Sequence, residues 1–190
     1  MATRNETLSK YVGDVHALVA HGLQVISQQT SNLKNVSHKD ALPAVEASKR
    51  VLESQKAVLD ARIKALGGSS TAPVKEAVSA AVGVAAGVIN AMRASETVKS
   101  LRDDATFFSG LGVAYLLLYT TASGLSDSET ATLAQKGYED CARSVMSFDR
   151  ILPKITVEEL REDKLDVMDV TDKVRVMVQG AWDRSQPSQL

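Results

Sequence analysis

The side chains able to do acid–base, nucleophilic or metal chemistry are few and scattered: three histidines, one cysteine and 23 carboxylates in 190 residues. His16 and His21 lie five positions apart on a helical stretch, about 140° around its axis, so they do not converge on one ion. His16 reads as a polar-face or interface residue. Cys141 falls in an apolar stripe with no histidine near it in the pattern, which reads as a buried, inert thiol rather than a nucleophile. A lone cysteine also excludes a disulfide framework and a four-thiolate zinc site. Asp103, Asp104, Glu139 and Asp140 could in principle gather around a divalent cation, but solvated helix faces account for them equally well. Gln55 and Arg62 occupy seam positions of one helix, where a buried polar pair sets register or a dimer contact, with ligand recognition the lesser option. The acidic run Glu158, Glu159, Glu162, Asp163 follows a capping box, where the helix dipole favours negative charge. Gly67-Gly68-Ser69-Ser70 has neither the preceding strand nor the lysine of a phosphate-binding loop.

Composition narrows the class further. With 22 basic and 23 acidic residues the net charge is −1, which argues against a nucleic-acid partner, since that needs a basic excess to displace counterions. The amino terminus, MATRNETLSKYVGD, has no apolar core of a signal peptide, so a cytoplasmic protein is expected. Two uncharged stretches invite a membrane reading. Residues 77–92 are too short to span a bilayer. Residues 105–126 are long enough, but they carry six Ser/Thr and three Gly and keep a one-sided spacing of large residues, so a buried bundle helix is expected rather than a membrane span.

The elements that would position these residues are helices. Each of the four prolines, at 43, 73, 153 and 187, falls where an apolar pattern starts or stops, and no Asn-Gly or Asp-Gly hairpin signal occurs. Leu8, Val12, Val15, Val19, Leu23 and Ile26 make one face of a first helix, followed by a polar loop, QQTSNLKNVSHKD. Asp40 caps a second helix that shows Val45, Leu52, Leu59 and Leu66 every seven residues, ending at Gly67-Gly68. A small-residue segment, AVSAAVGVAAGVINAM at 77–92, allows close backbone packing. The third long helix opens at Ser95-Glu96 and carries Leu101, Phe108, Tyr115 and Ala122 in a heptad-like stripe up to Gly124. Ser126 with Glu129 predicts a capping box for a fourth helix, stopped by Pro153, and Thr156 with Glu159 predicts another. A trailing helix carries Val170, Val174, Met177, Val178 and Ala181. One domain over 1–183 and a disordered tail over 184–190 are expected. The sum is an all-α four-helix bundle with a crossover segment between its second and third helices and an additional C-terminal helix.

The order of landmarks resembles a small bacterial branch of the ferritin-like superfamily linked to stress responses. The residues that carry the likeness are YVGDVHAL at 11–18, ALGG at 65–68, STAPVKE at 70–76, AYLLLYTTASGLSDSETATLA at 114–134 and ILPKITVEEL at 151–160. The resemblance implies a four-helix bundle with extra helices, commonly dimeric, and in many members a di-iron site. Such a site needs a Glu from two helices and Glu-x-x-His from the other two. Here the first-helix Glu would fall on Val19, the second-helix carboxylate on Leu52 or its neighbour and its histidine on Gln55, and the third-helix carboxylate on Leu111 or Phe108. Only Glu139 and Asp140 remain as weak metal candidates, and no Asp or Glu stands three residues before any histidine.

No cofactor and no catalytic residue are therefore expected. The leading functional expectation is a non-catalytic bundle acting through self-association, as a dimer, or through a protein partner. A carrier of a small hydrophobic ligand in the bundle core is the second, and residual di-metal binding or oxidase activity the third.

Overall fold

A computed structural model describes residues 3–33, 38–68 and 96–184. The expected small-residue crossover segment and the last six residues lie outside these, as do residues 1–2 and 34–37. The described residues form five helices and no strand: α1 (Arg4–Leu33), α2 (Ala41–Ala65), α3 (Glu96–Gly124), α4 (Ser128–Glu162) and α5 (Thr171–Arg184).

The spacing of apolar residues explains the packing. Leu8, Val12, Val15, Val19 and Ile26 of α1, Val45, Leu52 and Leu59 of α2, and Leu101, Phe108, Tyr115 and Ala122 of α3 are all buried, three or four residues or a whole heptad apart. α3 and α4 pack most extensively, then α1 and α2; α1 also meets α3 and α2 meets α4. At one end of the bundle Arg4 and Arg62 both reach Asp127, bringing together the start of α1, the end of α2 and the α3–α4 turn. At the other end His38 reaches Glu158, and Glu159 accepts from the Val98 amide. α2 thus ends where α3 does, and the two run parallel. α5 packs only on α4 among the described elements.

Local punctuation departs from expectation at several places. α1 runs on to Leu33, through the first six residues of the expected polar loop; the buried Thr30 hydroxyl donates to the Ile26 carbonyl at 2.8 Å, so the helix absorbs its polarity. Asp40 precedes α2 but makes no side-chain cap; its carboxylate is held by Lys154 instead. Gly67 does end α2 in the left-handed region, φ 80°, as a C′ glycine does. The N-cap of α4 is Asp127, whose Oδ1 accepts from the Thr130 amide at 2.9 Å, one residue beyond the expected Ser126. With the cap at Asp127, Glu129 stands one residue short of the capping-box position, and Arg62 takes its carboxylate. Pro153 does not stop α4, which continues to Glu162. Proline removes one backbone hydrogen bond, and the helix is held on both sides by the fully buried Phe148 and Ile155. Thr156 caps nothing; its hydroxyl donates back to the Leu152 carbonyl at 2.7 Å. α5 includes Arg184, placed in the tail by the sequence.

Among the described residues one helix, over Thr97–Gly124, is long and apolar enough to cross a membrane by length and composition, with a third of its most apolar window buried.

Candidate functional site

The positions where ligands would be expected lie near the middle of their helices and inside one apolar cluster. Val19, Leu52 and Phe108 are 0% exposed and Leu111 is 2% exposed. Phe108 also tilts against Phe148, ring centroids 6.1 Å apart. Gln55 is the polar member, buried, with Nε2 donating to the Gly137 carbonyl at 3.4 Å and weakly to Cys141 Sγ at 3.9 Å. Its Oε1 has no partner. Gly137 is required here because a Cβ would sit 2.3 Å from the Tyr115 ring. A cavity of about 40 Å³ adjoins, lined by Gln55, Tyr115, Gly137 and Asp140 among others. That is room for about one water, against the roughly 300 Å³ of a small ligand pocket.

Burial pushes the Cys141 thiol up to about 12, against the Gln55 hydrogen bond, so it stays protonated at neutral pH and is a poor nucleophile. Burial likewise raises the Tyr115 hydroxyl well above its usual range. The four carboxylates considered for a cation do not gather. Asp103 pairs with Arg102 at 2.8 Å. Glu139 accepts from Gln135 at 3.0 Å, and Asp140 pairs with Lys136 at 3.0 Å and with Arg143. Asp104 alone is buried, 5% exposed, against α1. Burial pushes it up to about 7, opposed by the Gln29 amide alongside and reinforced by the Asp103 charge. His16 is buried between α1 and α2, its Nε2 2.9 Å from Asp60 Oδ1 in a close ionic approach with poor hydrogen-bond alignment. Among the described residues no group of three or more His, Cys, Asp or Glu side chains is arranged to hold a metal ion.

Polar clusters occupy the two ends instead. Gln55 and Arg62 do not act as a pair, since Arg62 reaches out of the seam. Its Nη2 donates to both carboxylate oxygens of Asp127 at 2.7 and 2.9 Å, its Nε donates to Thr130 Oγ1 at 2.7 Å and its Nη1 meets Glu129. Arg4 adds hydrogen bonds to the Leu125 and Ser126 carbonyls at 2.8 and 2.9 Å. Burial alone would raise Asp127, but hydrogen bonds from Thr130 and the charges of Arg62 and Arg4 outweigh it and hold the carboxyl below its usual value. At the far end His38 Nδ1 lies 3.1 Å from Glu158, and Nε2 lies 3.7 and 3.9 Å from Glu159 and Glu162. The acidic run read as a helix-dipole effect falls instead in the last turns of α4, where the dipole does not favour it, and Glu158, Glu159 and Glu162 face His38 while Asp163 is the C-cap. Nothing singled out His38 in the sequence, because it stands in a polar stretch with no pattern around it. A pocket of about 460 Å³ opens there, lined by side chains of both signs that include Lys39, Asp40, Lys154 and Arg161.

No family model and no curated protein matches the chain in sequence. In three dimensions it is similar to a protein from Xanthomonas campestris pv. campestris, with a TM-score of 0.70 and 16% identity over 86% of this chain and all of that one. It is also similar to a ferritin-like, diiron-carboxylate protein from Bacillus anthracis, with a TM-score of 0.63 and 15% identity over 80% of this chain and 99% of that one. The fold is ferritin-like. A di-iron centre in a ferritin-like bundle takes its ligands from carboxylates and histidines on facing helices. The positions that the sequence resemblance assigns to such ligands hold Val19, Leu52, Phe108 and Leu111, all buried hydrocarbon, and the neutral amide of Gln55. These residues do not fit a di-iron centre.

Proposed function

We propose that the chain is a non-catalytic ferritin-like bundle that works by association, with a second copy of itself or with a protein partner, in the cytoplasm. The observation that carries this reading is the filled middle of the bundle. Val19, Leu52, Phe108 and Leu111 supply close packing where metal chemistry would need ligands. Supporting it are large apolar side chains left outside: Val113, Leu116 and Leu117 on α3, and Val176, Met177 and Trp182 on α5, each about half exposed or more. A role in stress responses, which the resemblance implies, is part of the proposal. The carrier alternative is disfavoured by a cavity of about 40 Å³ beside Gln55. The di-metal alternative is disfavoured by the hydrocarbon at the ligand level.

Native mass spectrometry of protein purified with added Fe²⁺ tests the reading, since it reports subunit number, metal and retained ligand together. Dimers without metal or small molecule are expected. Near-stoichiometric iron lost in Glu139→Ala or Asp140→Ala would overturn the metal-free reading, and a co-purifying lipid-like mass would favour a carrier.

A further inference from the structure

The outer side of α3 is uncharged from residue 105 to its end at Gly124, beyond the exposed Lys99 and the Arg102–Asp103 pair. Residues 105–126 contain no Asp, Glu, Lys or Arg. Val113 stands nine residues from the buried Ala122, about 180° around the helix, so it points directly away from the core. Val113 is 57% exposed, Leu116 48% and Leu117 56%. Surface helices ordinarily put charge on this side.

Two further observations say what the face fits. First, its hydroxyls are already satisfied by their own helix. Thr106 donates to the Arg102 carbonyl at 3.0 Å, Ser109 to Ala105 at 2.8 Å and Thr120 to Leu116 at 2.9 Å. Covering the face would therefore strand none of these donors, which removes the usual desolvation cost of burying polar groups. Second, the face is complementary to itself about Val113. Three and four residues before Val113 are the small Gly110 and Ser109; three and four residues after it are the bulky Leu116 and Leu117. Thr106 and Thr120 lie seven residues to either side. In an antiparallel pair of α3 helices with a two-fold axis at Val113, the leucines of each copy enter the gap left by Ser109 and Gly110 of the other. A two-fold interface demands this reciprocity. Gly110 leaves that gap open, with nothing within 4 Å of where a Cβ would stand. Arg102 and Asp103, paired at 2.8 Å, fall at the edge of such a contact, opposite Ser123 and Gly124 of the second copy. This gives the polar rim around an apolar centre that protein interfaces show.

We infer that the outer face of α3, centred on Val113, is a homodimer interface formed by antiparallel pairing with a second copy of this chain. The inference rests on the self-association reading above and names its surface. Helix axes packed 8–10 Å apart with Cα atoms about 2.3 Å from each axis bring the two Val113 Cα atoms to roughly 3–5 Å, within disulfide reach.

The test combines sedimentation with cross-linking of the full chain. The wild type should sediment as a dimer at micromolar concentration. Val113→Cys, oxidised with copper phenanthroline, should convert to a covalent dimer on a non-reducing gel, while Glu53→Cys on the outside of α2 should not. Gly110→Leu fills the gap without touching any neighbour in its own chain, so its circular dichroism and melting should match or exceed the wild type while dimer affinity falls at least 100-fold. Leu116→Glu/Leu117→Glu should sediment as a folded monomer. If the wild type is a dimer but Val113→Cys does not cross-link and Gly110→Leu stays dimeric, the α3 interface is wrong and self-association stands. A monomeric wild type overturns the inference together with the self-association reading, and co-flotation of that monomer with phosphatidylglycerol vesicles would reassign the face to a membrane surface.

Discussion

The middle of the bundle and its two ends are built on opposite chemistries. In the middle, Val19, Leu52, Phe108 and Leu111 meet with no ionisable partner among them. At the ends, Arg62 with Asp127 and His38 with three glutamates tie together helices far apart in sequence. Hydrocarbon supplies bulk cohesion without direction, whereas a guanidinium whose three nitrogens each meet a different partner fixes which helix ends meet and how. A bundle with metal at its centre gets direction from ligands there. This one places its directional contacts where the chain turns.

The most severe test of the contrast is a charge in the middle. Val19→Glu or Leu111→Glu would bury a carboxylate with nothing to pair it, and a loss of several kcal/mol is expected, a large part of the roughly 5–15 kcal/mol typical of a domain. A thermal melt of Val19→Glu within a few degrees of wild type would mean that the level admits water. At the end of the bundle, Arg62→Ala leaves Asp127 buried with only the half-exposed Arg4 beside it. Unfolding in urea should show a loss of about 3–5 kcal/mol, partly recovered in Arg62→Ala/Asp127→Ala.

Asp104 is the place where the two chemistries conflict, and pH exposes it. Its carboxyl titrates near 3.8 when free and is pushed up to about 7 in the fold. Between those values the folded chain holds more protons than the unfolded one, so stability falls as pH rises from about 4 to about 7. Asp127, shifted downward, acts with the opposite sign, and its contribution is lost only as pH falls below about 4. Asp104→Asn should flatten the decline and raise the melting temperature at pH 8 by several degrees, the effect of a few kcal/mol, while changing little below about pH 4. An unchanged pH profile in the Asn variant would place the slope elsewhere. Smaller still is Gly137→Ala, which forces a methyl into the Tyr115 ring and should cost about 1–3 kcal/mol. Gly112→Ala, whose Cβ would meet that of Cys141 at an ordinary 3.6 Å, serves as the near-neutral control.

What could be read in the sequence divides along the same line. The apolar middle was legible because burial on a helix repeats every three or four residues, and Val45, Leu52 and Leu59 or Phe108, Tyr115 and Ala122 announce their faces without reference to any partner. The ends were not. Arg62 depends on Asp127 and Glu129 from another helix, 65 and 67 residues away, and no local pattern links them. Ser126 and Glu129 have the spacing of a capping box, yet Asp127 takes the cap and Glu129 meets Arg62 instead. Pro153 looked like a terminus because the rule counts one lost hydrogen bond, whereas the buried side chains around it decide the outcome. The outward face of α3 hid behind its own stripe: with apolar residues on both sides, the one-sided spacing toward the core was the only part that periodicity could register.

The joints between the two helical hairpins have a consequence for folding rates. α1 with α2 and α3 with α4 are each joined by a few residues, so each hairpin is made of consecutive helices. Arg4–Asp127, His38–Glu158 and Arg62–Asp127 instead span 123, 120 and 65 residues. Contacts at such separations are slow to assemble, while helical turns form within about a microsecond. The hairpins should form early and dock late, with the end clasps still open at the barrier. Loosening a clasp would then leave the folding rate nearly untouched and appear almost wholly as faster unfolding. In a stopped-flow chevron, Arg62→Ala should lift the unfolding limb and spare the refolding one, which makes the clasp at Asp127 the latch that governs how long each folded molecule lasts.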